Sequence, residues 1–155
     1  MTNYLVALST WLHALATIVM IGYFLFTSLI YLPVFERQIQ GNALRPLLEQ
    51  ISTRLKPFFG GSVLIFIVTG THLMLINENY LGLGKFFSNS WSVLMVIKHV
   101  LVVAFLALAI FSERAYLAKI SDQNPEALKR FRLALNIDTI LGAVILLLTS
   151  IVQAG

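Results

Sequence analysis

The chain contains no cysteine, and Asp, Glu, Lys and Arg together make up only 12% of its 155 residues. Without cysteine the protein can form neither a disulfide nor a thiolate metal site, and it cannot attach a c-type haem covalently. Hydrophobic residues make up 58% of the chain, a composition that excludes an ordinary soluble domain. Any cofactor must therefore be held non-covalently within a largely apolar protein.

Charge is missing from long parts of the chain. Four stretches hold no charged residue, or only one or two ionisable residues each: 1–35, 57–77, 86–112 and 133–155. Because about 20 helical residues cross the hydrocarbon core of a bilayer, the sequence predicts an all-α, integral-membrane four-helix up-down-up-down bundle. We expect a single domain over residues 1–155, with helices near 4–32, 58–77, 91–112 and 134–153.

The basic residues are concentrated in two of the connections between these predicted helices. They are Arg37, Arg45, Arg54 and Lys56 in the first, and Arg114, Lys119, Lys129, Arg130 and Arg132 in the second. The positive-inside rule predicts that both connections face the cytoplasm and that both termini lie on the outer side. The net charge of +4 therefore reflects topology, and we expect the lipid bilayer, not nucleic acid, as a partner.

Each of the first three predicted helices carries one histidine: His13, His72 and His99. With about 1.5 Å of rise per residue, these lie roughly 13, 8 and 12 Å from the outer ends of their helices. Small or polar residues share their faces at three- and four-residue spacing, among them Ser9, Thr17, Thr69 and Met95. Because ionisable groups are costly in hydrocarbon, we expect these faces to point into the bundle.

A lone intramembrane histidine is most simply an interhelical hydrogen-bonding group. Three at similar depth favour bound haem b, with His13 and His99 as axial ligands on diagonal helices and His72 as an alternative ligand. Ser9, Thr17 and Thr69 would then support the ligands or line the cofactor.

Lys98 precedes His99 and points about 100° away from it around the helix. It is expected to extend towards the membrane surface, to meet a haem propionate, or to ligate as the neutral amine. Copper is the alternative to haem, because Met95 lies four residues before His99 and Met74 two residues after His72. Thioether and imidazole ligands together suit Cu(I).

Asp138 lies near the predicted inner end of the fourth helix. Its position favours a carboxylate stabilised by the start of a helix, with a proton-relay role as the alternative. No Ser-His-Asp order, phosphate-binding loop or paired-carboxylate spacing occurs, so the sequence identifies no catalytic residue.

Four segments resemble the copper resistance protein D (CopD) type of membrane protein and the related HemJ-type protoporphyrinogen oxidases. They are WLHALATIVMIGYFLFTSLIYLPVF, RLKPFFGGSVLIFIVTGTHLML, MVIKHVLVVAFLALAIF and RFRLALNIDTILGAVILLLTSIV, each resembling the corresponding helix of the family. In the HemJ-type enzymes a histidine of the first helix and a lysine of the third are the proposed haem ligands. The resemblance therefore implies that His13 and Lys98 bind haem.

The chain departs from the oxidases in two places. The segment YLPVF lacks the basic residue that the oxidases place near their Leu-Pro turn, and His99 directly follows Lys98. Whether Lys98 or His99 would bind iron therefore stays open.

We expect a haem b protein of the bacterial cytoplasmic (inner) membrane that transfers electrons in the outer half of the bilayer. The alternatives are a HemJ-like protoporphyrinogen oxidase, a copper-handling CopD-like protein, and an accessory helical subunit of a larger membrane complex. A quinone or porphyrin substrate and a homodimer or larger complex are the expected partners.

Overall fold

The computed structural model describes residues 2–39, 43–85, 87–121 and 123–154, and within these ranges the chain is helical without a β-strand. Five α-helices follow one another: α1 (Thr2–Phe26), α2 (Leu32–Gln38), α3 (Leu44–Leu75), α4 (Ser90–Ala115) and α5 (Pro125–Ala154). A π-helical segment, Thr27–Tyr31, joins α1 to α2, and short 3-10 helices occupy Leu83–Lys85 and Leu117–Lys119.

Four helical segments of the described chain are long and apolar enough to cross a membrane, which confirms the predicted all-α membrane fold. They are Tyr4–Gln38, Leu44–Leu75, Ser90–Lys119 and Pro125–Val152. A break within a membrane would leave backbone groups unsatisfied, so continuous helices are favoured there.

The helices extend beyond the predicted limits. α3 begins at Leu44 instead of near 58, and the helix passes through Pro57 without ending. α5 begins at Pro125 instead of near 134. At this start, the side chain of Asn124 accepts a hydrogen bond from the backbone N–H of Ala127 at 3.2 Å. Much of the chain predicted to connect the membrane-spanning helices is therefore helical and continues those helices.

Helix α1 packs against both α3 and α5, while α4 packs chiefly against α5. Ser9 and His13 of α1 contact His72 and Thr69 of α3, so α1 and α3 run antiparallel. An aromatic cluster lies further along α1, where the ring of Phe24 is 5.8 Å from that of Phe59 and 4.9 Å from that of Phe105. These rings join α1 to α3 and α4 in the core.

The two ends of the bundle differ in chemistry. At the end that carries most of the arginines and lysines, here called the basic end, Glu113 of α4 contacts two residues of α3. It accepts a hydrogen bond from Ser52 at 2.5 Å and forms a salt bridge with Lys56 at 2.7 Å. Arg132 of α5 pairs with Glu36 of α2 at the same end. The opposite end contains all three histidines and is called the histidine end.

The contact between α1 and α5 depends on a glycine. A Cβ atom at Gly142 would lie 2.9 Å from Cγ2 of Ile21, closer than carbon atoms approach in proteins. Ile21 is β-branched and has few rotamers available in a helix, so it cannot turn away at low cost. Gly142 therefore allows the two helices to approach closely, as small residues do in membrane bundles.

We expect Gly142→Ala to destabilise the protein by about 1–3 kcal/mol, because the added methyl group overpacks the α1–α5 contact. Thermal unfolding in detergent measures the effect. Gly60→Ala is the matched control, because a Cβ atom there meets nothing within 4 Å and alanine favours the helix. Equal melting temperatures for the two variants would contradict the prediction.

Candidate functional site

Two histidine–hydroxyl pairs connect α1 and α3 near the histidine end. His13 Nδ1 lies 3.0 Å from Thr69 Oγ1, and His72 Nδ1 lies 2.9 Å from Ser9 Oγ. Each helix supplies one histidine and one hydroxyl residue, and the two pairs are one helical turn apart. All four residues were predicted from the sequence to belong to the site, and the structure brings them together where α1 packs against α3.

The hydrogen bonds determine which ring nitrogen of His13 is free. The hydroxyl of Thr69 donates to the backbone carbonyl of Ile65 at 2.6 Å, so its oxygen accepts a hydrogen bond from His13 Nδ1–H. In the neutral imidazole, Nε2 then keeps its lone pair. This is the arrangement typical of metal-binding histidines, which donate their other N–H to a protein acceptor.

Packing holds the His13 ring in place. The ring stacks on Phe66 with centroids 4.3 Å apart and planes inclined by 23°. On the same helix, a Cβ atom at Gly70 would lie only 3.0 Å from His13 Cε1. Phe66 was not predicted from the sequence as a site residue. The three-residue spacing between Phe66 and Thr69 indicates that both lie on one face of α3.

Thr17 lies one helical turn after His13 on α1. Its hydroxyl donates to the backbone carbonyl of His13 at 2.7 Å. The role of Thr17 in lining a cofactor stays a prediction.

Lys98 and His99 lie on α4, whose buried residues include Ser92, Met95 and Phe105. Lys98 is half-buried, and both residues lie within Coulombic range of His13. His99 is exposed, which differs from its predicted interior position, and its Nδ1 donates to the backbone carbonyl of Met95 at 2.6 Å. Its Nε2 is therefore free in the neutral ring, as in His13.

The three histidines do not form one cluster. Across the described ranges, no three His, Cys, Asp or Glu side chains lie close enough together to hold a metal ion. Of the predicted copper ligands, the side chain of Met95 is buried and that of Met74 is half-buried. The structure therefore places the imidazoles of His13 and His72 at the α1–α3 seam, whereas Lys98 and His99 lie on α4.

Asp138 is placed differently from the sequence prediction. α5 begins at Pro125, so Asp138 lies several turns inside the helix and the interpretation as a helix-start carboxylate is wrong. The side chain is fully buried. The first turn of α5 carries Glu126 in its place.

The fold and this seam define an integral-membrane four-helix protein with two imidazole–hydroxyl pairs between α1 and α3. The family model for copper resistance protein D (CopD) matches residues 49–152, about two thirds of the chain. The chain therefore belongs to the CopD family. No curated protein and no solved structure gives a significant match. The matched region covers most of α3, α4 and most of α5, whereas Ser9 and His13 lie on α1 outside it.

We expect nitrogen-15 NMR of histidine-labelled protein to show His13 and His99 in the Nδ1–H tautomer, because both donate from Nδ1 to fixed acceptors. Thr69→Val removes the acceptor of His13 and should change its signals while leaving those of His99 unchanged. Thr71→Val is the control, because Thr71 is exposed on the same helix. Finding His13 protonated at Nε2 in the unmodified protein would contradict the assignment.

Proposed function

We propose that the chain binds Cu(I) as cargo at the α1–α3 seam, through the imidazoles of His13 and His72. The observation that supports this most strongly is the pair of rings one turn apart, each bonded at Nδ1 to a hydroxyl of the other helix. Membership of a family described as copper resistance protein D supports copper as the ion.

The number and type of ligands favour Cu(I) over other common ions. Zn²⁺ in proteins takes four ligands, and Ca²⁺ or Mg²⁺ requires carboxylate or carbonyl oxygens. Cu(I) is stable with two nitrogen or sulfur ligands, and imidazole and thioether groups both suit copper. A site with few ligands also releases its ion readily, as movement of a cargo requires.

The direction of copper movement depends on the orientation of the bundle. The concentration of arginine and lysine at the basic end supports an orientation with that end in the cytoplasm of a bacterial cell and the histidine end outside. The copper site then lies in the outer half of the membrane, with the N and C termini on the outer side.

We expect purified protein in lipid nanodiscs to bind Cu(I) under reducing conditions, and His13→Ala and His72→Ala each to weaken binding at least about tenfold, since each removes one ligand. A competition titration with a Cu(I) chelator measures the affinity. His99→Ala is the matched control, because His99 lies outside the α1–α3 seam. Equal losses in all three variants, or in none, would rule out the proposed pair.

Haem b is the second candidate, and a specific observation favours it. His13 and His99 both keep Nε2 free, Lys98 lies close enough to interact with His13, and this donor set fits axial ligation. Of these residues, His13 and Lys98 are half-buried and His99 is exposed. When bound, haem would supply one-electron transfer, while the chain would supply ligands and an apolar surround.

The two candidates predict different sets of sensitive residues. After expression with sufficient haem, a haem protein should show a Soret band that His13→Ala and His99→Ala each disturb and His72→Ala leaves unchanged. Absorption spectra of the same preparations used for copper titration measure this. A colourless protein would exclude haem, and loss of the band in His72→Ala alone would exclude the His13–His99 pair.

A further inference from the structure

Every buried side-chain oxygen without a hydrogen-bond partner in the described part of the chain belongs to one of three residues. These oxygens are Thr27 Oγ1, Glu36 Oε1 and both Oδ atoms of Asp138. Thr27 is 4% exposed and Asp138 is 0% exposed. Because buried polar groups in native proteins are nearly always hydrogen-bonded, an unpaired group needs an explanation, such as water or an ion.

All three residues lie along the seam between α5 and the α1–α2 segment. Three contacts define the order of this seam from the basic end: Arg132 with Glu36, Asn136 with Ser28, and Gly142 with Ile21. Asp138 lies between the second and third contacts, at the level of Thr27. The seam is therefore polar from the basic end as far as Asp138 and becomes apolar beyond it.

The π-helical segment places hydroxyl groups on this seam. It begins at Thr27, where the backbone N–H of Leu32 bonds to the carbonyl of Thr27 across five residues. Both Thr27 and its neighbour Ser28 are buried there. Single π-helical turns inside longer helices occur frequently at functional sites.

Asp138 forms no salt bridge within the described ranges. Its carboxyl oxygens have no hydrogen-bond partner there, and the salt bridges found in those ranges involve other residues. The ionisable groups nearest along the seam are Glu36 and Arg132 at the basic end, which pair with each other. The buried core residues that α1 and α4 contribute nearby are apolar, and the rings of Phe24 and Phe105 contact each other.

We propose that Asp138 is a proton-binding site at the closed end of this polar seam, and that it exchanges protons with water at the basic end. A lone carboxylate is costly in such an interior, whereas the neutral carboxylic acid is far less so and carries one O–H donor and one carbonyl acceptor. A hydronium ion delivers its proton to one Oδ atom and leaves as water. The reverse step removes the proton, and no other bond changes.

Exchange takes place from one side only. The contact between Ile21 and Gly142 and the aromatic contact between Phe24 and Phe105 close the seam towards the histidine end. An intramembrane ionisable residue that communicates with one side of the membrane is typical of proton pathways in transporters. This proposal goes beyond copper or haem binding and requires neither.

Infrared spectroscopy of metal-free protein in nanodiscs tests the proposal. At neutral pH we expect the carbonyl band of a protonated carboxylic acid, its shift after transfer to D2O, and its complete loss in Asp138→Asn. Asp138→Glu should keep the band at a shifted frequency, so that the assignment does not depend on one variant. Glu126→Gln is the matched control, because Glu126 is an exposed carboxylate on the same helix, paired with Lys129.

Persistence of the band in Asp138→Asn would overturn the assignment of the proton to Asp138. A band that does not respond to D2O would overturn exchange with water at the basic end.

Discussion

Hydrocarbon offers no hydrogen bond to a polar side chain, so polar groups in a membrane protein must find partners inside the bundle. In this chain several of the partners lie on α1 and on the π-helical segment that follows it. Ser9 and His13 of α1 bond to α3, and Ser28 of the π-helical segment bonds to α5. Lipid tails are as apolar as leucine, so apolar contacts alone specify the alignment of two helices only weakly. These polar pairs therefore set the register of α3 and α5 against the first membrane-spanning segment.

The bundle separates two kinds of chemistry along its length. Imidazoles lie towards the histidine end, and the buried carboxyl group of Asp138 lies towards the basic end. The aromatic cluster of Phe24, Phe59 and Phe105 lies between them. Because this layer is apolar and packed, an ion or proton does not pass through it without a change in helix packing. The proposed metal site and the proposed proton site are therefore distinct.

Membership of the CopD family and the proposed ligands draw on different parts of the chain. The family match covers residues 49–152 and includes His72, Lys98 and His99, whereas His13 lies before it. His13 is common to the copper and haem proposals, which differ in the helix that supplies the second nitrogen. α3 supplies it for copper and α4 for haem. The family therefore defines the class of protein, and the helix packing around His13 decides the ligand pair.

The sequence by itself determined the four membrane-spanning helices and the residues worth examining, because hydropathy, charge spacing and helical periodicity are properties of local segments. The four residues of the α1–α3 seam were visible for the same reason. Tertiary structure alone decided that His13 meets Thr69, that His99 is exposed and that Asp138 is buried beside a π-helical turn. Each depends on the relative register and rotation of helices distant in sequence, where one residue of rotation moves a side chain by about 100°.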